Sequence, residues 1–292
     1  MVGAQSNSVT SAAETNGAAP SDVAFLAPAV VPDLLRVGKW SDGGYIVPYS
    51  AVQSADVLIS FGLNKDWSFE ENFHAINARA VIHGYDHTIS LQVFRRQFYM
   101  GLLKWMTGKT PRAAIGQLLW LWRDFRAFFG STARHYQEKI VGKERAPGEA
   151  TLDKVFSRID PSCGKVFLKI DIEGSEYEII DAILRHSRRI IALVIEFHHT
   201  TRGRPTFRCA VSALQREFEI VHVHGNNWGP VAPDGLPDAV EITFVPRSGL
   251  SLPKRSRLPI ELDRPNNPQR AEYPLRFSDL EADKVIGDNP SA

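Results

Sequence analysis

The stretch Val166-Phe-Leu-Lys-Ile-Asp-Ile-Glu-Gly-Ser-Glu-Tyr-Glu-Ile-Ile180 decides the fold. Val166, Phe167, Leu168 and Ile170 form an apolar run of the length of a buried parallel strand. Gly174 permits a sharp turn, after which Ile179, Ile180 and Ile183 resume at helical spacing. A strand that runs into an acidic turn and then a helix presents carboxylates beyond the carboxyl end of a parallel sheet, where such sheets bind ligands. Asp171 and Glu173 are therefore the first candidate site residues. Acids in a first helical turn also stabilise the helix dipole, which accounts for Glu176 but leaves Asp171, at the strand end, without a structural role.

Outward from this segment the pattern alternates. Strands are predicted at 57–61, 80–85, 137–141, 166–170, 190–195, 219–223 and 240–245, and helices at 68–79, 152–158, 175–186 and 206–216. Strands alternating with helices predict an α/β fold with a mostly parallel sheet covered on both faces. The last two strands, joined by the Gly/Asn/Pro-rich loop 225–238, fit an antiparallel addition at the end of that sheet. Residues 1–22 are rich in Ser, Ala, Asn, Gly and Thr and lack aromatic groups, so they are read as a disordered leader. The folded domain is placed at 23–250. The Pro-rich tail, 251–292, offers Leu252, Leu258, Leu262 and Leu275 to lie along it.

Composition fits an enzyme-sized domain. The chain has 292 residues, 43% hydrophobic content and a net charge of +1, enough for one large core and too neutral for a general nucleic-acid-binding surface. Cys163 and Cys209 are the only cysteines, too few for a disulfide framework or a cysteine-based zinc site. With no basic-then-apolar leader and no apolar run long enough for a bilayer, the expected location is cytoplasmic.

The other strand ends supply further candidates. Ser60-Phe61-Gly62 closes the first strand, and Gly62 lets the backbone approach a ligand, although a plain strand-to-helix turn has the same residues. The next strand closes on Asp86, an acid placed to accept hydrogen bonds from ribose hydroxyls, or else to cap a turn. Glu196-Phe-His-His199 ends a later strand, and alternation sends Glu196 and His198 to one side and His199 to the other. His198 is the leading candidate for a general base beside Asp171, with His224 next. Glu196, His199, Asn226 and Asn227 are candidates for holding the substrate, while Gly225-Asn-Asn also suits a turn. Asp171, Glu173, Glu196 and His198 carry metal-binding groups, but no contiguous ligand motif is present and no metal is assigned.

The segment L-K-I-D-I-E-G-S-E-Y-E-I-I closely resembles the motif of the FkbM-type S-adenosylmethionine-dependent methyltransferases. Ser41-Asp-Gly-Gly-Tyr-Ile-Val47, Leu58-Ile-Ser-Phe-Gly62, Thr151-Leu-Asp-Lys-Val155, Val194-Ile-Glu-Phe-His-His199, Val223-His-Gly-Asn-Asn227 and Pro237-Asp-Ala-Val-Glu-Ile-Thr-Phe244 agree in order, so the resemblance spans 33–276. It implies a class I methyltransferase (Rossmann-like) fold with a seven-stranded sheet whose last strand is antiparallel. It also implies S-adenosyl-L-methionine as cofactor, with Asp42, Gly43 and Gly44 at the rim of its pocket and Asp171 near its methionine moiety. The implied reaction is O-methylation of a small-molecule or glycan acceptor: a hydroxyl of a saccharide, glycolipid or secondary metabolite. The rivals are a noncatalytic module of the same fold and a nicotinamide-dependent oxidoreductase, against which the missing second and third glycines after the first strand argue.

Residues 95–132 stand out from the resemblance as an insertion. Two amphipathic helices are predicted there, rich in aromatic groups and accompanied by Lys104, Lys109, Arg112, Arg123 and Arg126, with Asp124 alone opposing. The favoured reading is a helical hairpin packed on the core, because aromatic helix faces are usually buried. The functional variant is a cap over the acceptor pocket, with peripheral contact with the inner face of a membrane as its alternative.

Overall fold

In the computed structural model the described residues are 23–109, 111–233, 235–249 and 252–277. The leader expected at 1–22 lies outside them, as does the tail beyond 277. In chain order the elements are β1 (Leu34–Val37), β2 (Tyr45–Pro48), α1 (Tyr49–Ser54), β3 (Val57–Phe61), α2 (Ser68–Ile76), β4 (Val81–Tyr85), α3 (Leu91–Met106), α4 (Arg112–Ser131) and β5 (Ala133–Tyr136). There follow β6 (Lys139–Ile140), β7 (Glu149–Ala150), α5 (Leu152–Ser157), β8 (Val166–Ile170), α6 (Ile180–Arg185), β9 (Ile190–Phe197), α7 (Arg204–Leu214), β10 (Phe218–Gly225), β11 (Val240–Pro246), β12 (Arg257–Leu258) and β13 (Leu275–Arg276).

Seven strands form one sheet in the order β10-β11-β9-β8-β3-β4-β5. The pairs from β9 through β5 are parallel, and β11 runs antiparallel to both β9 and β10. This order, with its reversed strand inserted next to the edge, is that of the class I methyltransferase fold. Alternation along each strand builds the two faces. Val166, Leu168 and Ile170 join Val57, Ile59 and Phe61 in a core under α5, α6 and α7, whereas Phe167 joins Leu58, Ala192 and Val194 in a second core under α2 and the aromatic end of α4. Residues 252–277 lie against the first core through Leu258, Leu275 and Phe277.

Two expected elements are corrected. The strand predicted at 137–141 is displaced: the sheet edge is β5, where the Tyr136 ring stacks on Tyr85 at 4.6 Å, and the backbone then turns so that β6 pairs with β7 outside the sheet. The helix predicted at 175–186 begins as a 3-10 turn over Glu176–Ile179, because the Glu176 carboxylate reaches back to the backbone N–H groups of Ile172 and Gly174 and tightens the entry. The two helices predicted in the insertion are present as α3 and α4, between β4 and β5.

Register aligns the strand ends. Tyr85 pairs with Phe61, Phe61 with Ile170 and Ile170 with Ile195, so the next residues, Asp86, Gly62, Asp171 and Glu196, form one row at the carboxyl edge. Glu241, opposite Glu196, extends it. Gly62 has φ 76°, and a Cβ there would stand 1.6 Å from the Asp171 carbonyl oxygen, so the two strand ends fit together only because the side chain is absent. Gly62→Ala is expected to cost about 2–5 kcal/mol by overpacking plus left-handed strain. Urea denaturation checks this, and an unchanged midpoint contradicts it.

Candidate active site

A cavity of 670 Å³ opens over this row of strand ends. That is a size suited to a nucleoside-bearing or drug-sized ligand. Its lining carries Asp42, Asp66, Asp86, Glu138, Asp171, Glu173 and Glu196, against Lys139 and Lys169. An acid-rich wall of this kind favours a cationic ligand and opposes an anionic one.

One end is built on Asp86. Its Oδ2 accepts from the N–H groups of Leu63 at 3.1 Å and Asn64 at 2.7 Å, and its Oδ1 from Thr88 N at 2.7 Å and Thr88 Oγ1 at 2.6 Å. A carboxylate offers about four lone-pair sites, so Asp86 is fully engaged in clamping the loop after Gly62. The residue expected to hold ribose hydroxyls is thus first a loop clamp. A ribose reaching it would share or displace the Thr88 hydroxyl.

The other end is an acid–imidazole cluster. His198 follows β9, and its Nδ1 lies 2.9 Å from Glu176 Oε1. Glu176 is itself buried and held by two backbone N–H groups, so the imidazole orientation is fixed from behind. This leaves His198 Nε2 facing Glu173 Oε2 at 3.6 Å, Glu196 Oε1 at 3.8 Å and Asp171 Oδ1 at 3.9 Å. The Tyr45 hydroxyl reaches Asp171 Oδ2 at 3.1 Å and Glu196 Oε2 at 3.4 Å, and Asn226 Nδ2 donates to Glu196 Oε1 at 2.8 Å. Lys169, buried in β8, donates to the Gly62 carbonyl oxygen at 3.1 Å and lies 3.8 Å from Glu70.

Burial and crowding shift these groups. Burial alone would lower the His198 pKa, but the Glu176 hydrogen bond and the charges of Glu196, Glu176 and Asp171 outweigh it and lift the imidazole to about 9. Burial pushes the Asp171 carboxyl up to about 6, with Lys169 and His198 opposing. Glu196 is raised well above the usual carboxylate range by burial, then by Asp171 and Glu241. Asp171, Glu196 and His198 also bring ligand atoms within 4.8 Å of one another, a three-donor set that a scan for contiguous metal motifs passes over.

Of the residues expected to serve the site, Asp42, Gly43, Gly62, Asp86, Asp171, Glu173, Glu196, His198 and Asn226 line the cavity. The others do not. Ser60 donates inward to Glu70, Phe61 packs edge-on to Tyr85, and Gly44 lies behind Gly43, where a Cβ would meet the Lys39 carbonyl oxygen. His199 turns away with φ 58° toward Gly174 and Asp238. Asn227 donates to the carbonyl groups of Asn267, Arg270 and Ala271, so it fastens the 252–277 segment. His224, expected as a reserve base, is a buried strut between Glu241 at 3.2 Å and Glu272 at 3.0 Å, with its pKa lifted to about 10 by those acids against burial. Nor does any residue of α3 or α4 line the cavity, which corrects the expected cap.

Four contributors escaped sequence reasoning. Tyr45 and Lys169 stood inside quoted motifs as an aromatic residue and a strand residue, and only the packing of β2 against β9 and the pairing of β8 with β9 bring them to the carboxylates. Trp228, 55% exposed at the cavity mouth, followed a turn signal. Glu176 read as a helix acid, and nothing local signals its reach to His198.

Residues 118–221 match the family described as Methyltransferase FkbM domain. The match runs from α4 into β10 and includes Asp171, Glu176 and His198, while Gly62 and Asp86 stand outside it. No curated protein matches the chain. Among solved structures, a precorrin-6y C5,15-methyltransferase from Geobacter metallireducens is 16% identical, over 68% of this chain and 86% of that chain, with a TM-score of 0.36. A predicted O-methyltransferase from Agrobacterium tumefaciens is 11% identical, over 68% and 79%, at 0.33. The fibrillarin pre-rRNA processing protein of Methanococcus jannaschii is 10% identical, over 67% and 68%, at 0.36. The fold assignment rests on the strand order, not on likenesses of this size.

The shifted groups give stability a pH dependence. His198 and His224 have folded pKa values of about 9 and 10, above the ordinary 6.5. Their contribution is complete below pH 6.5 and is lost as pH rises through 9 and 10, at most on the order of 3 kcal/mol for His198 and 5 kcal/mol for His224. Denaturation across that range should show stability falling with pH, more shallowly in His198→Asn and in His224→Asn. A flat wild-type profile contradicts the cluster.

Proposed function

We propose that the chain is an S-adenosylmethionine-dependent O-methyltransferase acting on a hydroxyl of a saccharide, glycolipid or secondary metabolite. The observation that carries this reading is the surplus of acid in the cavity: six carboxylates besides Glu196, whose carboxyl is raised well above the usual range, face Lys139, Lys169 and the His198 imidazolium at the carboxyl ends of a class I methyltransferase sheet. S-adenosylmethionine is a cation, whereas nicotinamide dinucleotides carry a pyrophosphate that this wall repels. The FkbM match over the acidic strand end supports the same reading.

The cavity residues fit such a ligand. The Asp86-clamped loop at Gly62 would hold the nucleoside end, and Asp171 and Glu173 would face the cationic methionine end. When bound, the cofactor supplies an electrophilic sulfonium methyl whose leaving group is a neutral thioether. What remains for the protein is to hold an acceptor oxygen in line and to remove its proton. His198 Nε2 is the proton acceptor: Glu176 fixes the ring through Nδ1, and Asp171 and Glu196 stabilise the imidazolium that forms. Trp228, partly open at the mouth, offers a flat apolar surface to the C–H face of a sugar ring, and Asn226 a polar contact beside it.

A second reading has one specific support, the convergence of Asp171, Glu196 and His198, which would let a divalent ion hold the acceptor oxygen. Chelation separates the two. Turnover unchanged by EDTA fits a free His198 base, and loss restored by a divalent ion assigns the group to a metal.

Single-turnover transfer of labelled methyl to candidate acceptors tests the reading, with His198→Ala expected to slow the chemical step by about 10²–10⁴. Since only neutral His198 accepts a proton, kcat/KM should rise with pH toward about 9. In Glu176→Gln, which removes a charge that raises the imidazole pKa, that limb should move to lower pH. Wild-type turnover by His198→Ala contradicts the base, and cofactor binding without transfer to any acceptor favours a noncatalytic module.

A further inference from the structure

The α3–α4 hairpin is anchored at its base and bare at its tip. Phe94, Phe125 and Phe128 are its buried aromatic groups, joined to Trp67 and Phe129 by ring contacts of 4.8 to 6.1 Å. Further out, Gly101 lets the two helices close on each other, since a Cβ there would stand 2.7 Å from Leu118 Cδ1. Beyond that crossing every residue from Leu103 to Lys109 is exposed. Tyr99, Leu103 and Met106 follow one another at i, i+4 and i+7 on one face of α3, yet Leu103 and Met106 are 55% and 67% exposed, and Trp105 beside them is 43% exposed. An amphipathic helix ordinarily buries such a stripe.

The charge around this stripe identifies its counterpart. Residues 91–131 carry Arg95, Arg96, Lys104, Lys109, Arg112, Arg123 and Arg126 against Asp124, in a chain whose net charge is only +1. A second copy of the same face would bring like charges together, which disfavours self-association through it. Exposed Trp, Leu and Met among Lys and Arg are instead the composition of a surface that enters the headgroup region of an anionic bilayer. Among the described residues no helix is long and apolar enough to cross a membrane. We propose that the hairpin tip, through Leu103, Lys104, Trp105, Met106, Lys109 and Arg112, docks the protein on an anionic lipid surface. The contact is peripheral, and it is independent of the methyltransferase reading because it requires neither cofactor nor acceptor.

Cosedimentation of the full chain with vesicles tests the proposal, using phosphatidylcholine alone and phosphatidylcholine with about 30% phosphatidylserine. Binding is expected only to the anionic vesicles and should weaken with salt. Lys104→Glu/Lys109→Glu/Arg112→Glu should lower it on the order of a hundredfold, and Leu103→Ser/Trp105→Ser/Met106→Ser should abolish it. All six positions are exposed, and circular dichroism verifies that both variants fold. No binding to anionic vesicles overturns the proposal, as does equal binding to both vesicle types or retention in both variants. Self-association lost in the apolar variant, without vesicle binding, makes a second copy the occupant and also overturns it.

Discussion

Asp171 and Glu196 share the Tyr45 hydroxyl, 3.1 Å and 3.4 Å away, and this crowding of like charge at adjacent strand ends conditions the rest of the site. Register imposes it: once Ile170 and Ile195 pair inside the sheet, their successors must stand side by side at its edge, with Glu241 on the far side. Carboxylates packed this closely and shielded from water cannot all ionise without cations near them. The fold supplies Lys169 beneath the row and His198 above it, and between them the cavity keeps a surplus of negative charge. A ligand that brings positive charge relieves that crowding. This is the electrostatic basis for reading the cavity as a sulfonium site.

How much of this was legible in the chain depends on whether the signal was local. The run Val166–Ile170 and its acidic turn fixed a buried parallel strand with Asp171 at its end, and the strand ends at Gly62, Asp86 and Glu196 carried their own signals. Alternation correctly set Glu196 and His198 on one side and His199 on the other. Contacts between distant segments were not legible. Glu176 finds His198 across 22 positions and Tyr45 finds Asp171 across 126, and in neither case does the neighbouring sequence differ from that of an ordinary helix acid or hairpin tyrosine. Asp86 shows an intermediate case, since both a capping role and a ligand role were visible, and geometry reveals the cap by filling every lone-pair site with Leu63, Asn64 and Thr88. His224 and Asn227 misled because turn-adjacent polar residues suit a pocket and a strut equally, and here they hold the 252–277 segment.

The molecule also separates its charge. Acidic groups gather at the carboxyl ends of the sheet, while the basic groups of α3 and α4 accompany a helical pair that contributes nothing to the cavity lining. A near-neutral net charge conceals this division. The hairpin occupies the connection between β4 and β5, a position from which it can be elaborated without disturbing the strand-end row.

Calorimetric titration of the intact chain with S-adenosylmethionine and, in parallel, with an oxidised nicotinamide dinucleotide tests the central claim most directly. The account predicts saturable binding of S-adenosylmethionine, weakened by added salt because the acid-rich wall contributes to it, and no binding of the dinucleotide. Binding of the dinucleotide with no heat from S-adenosylmethionine would contradict it.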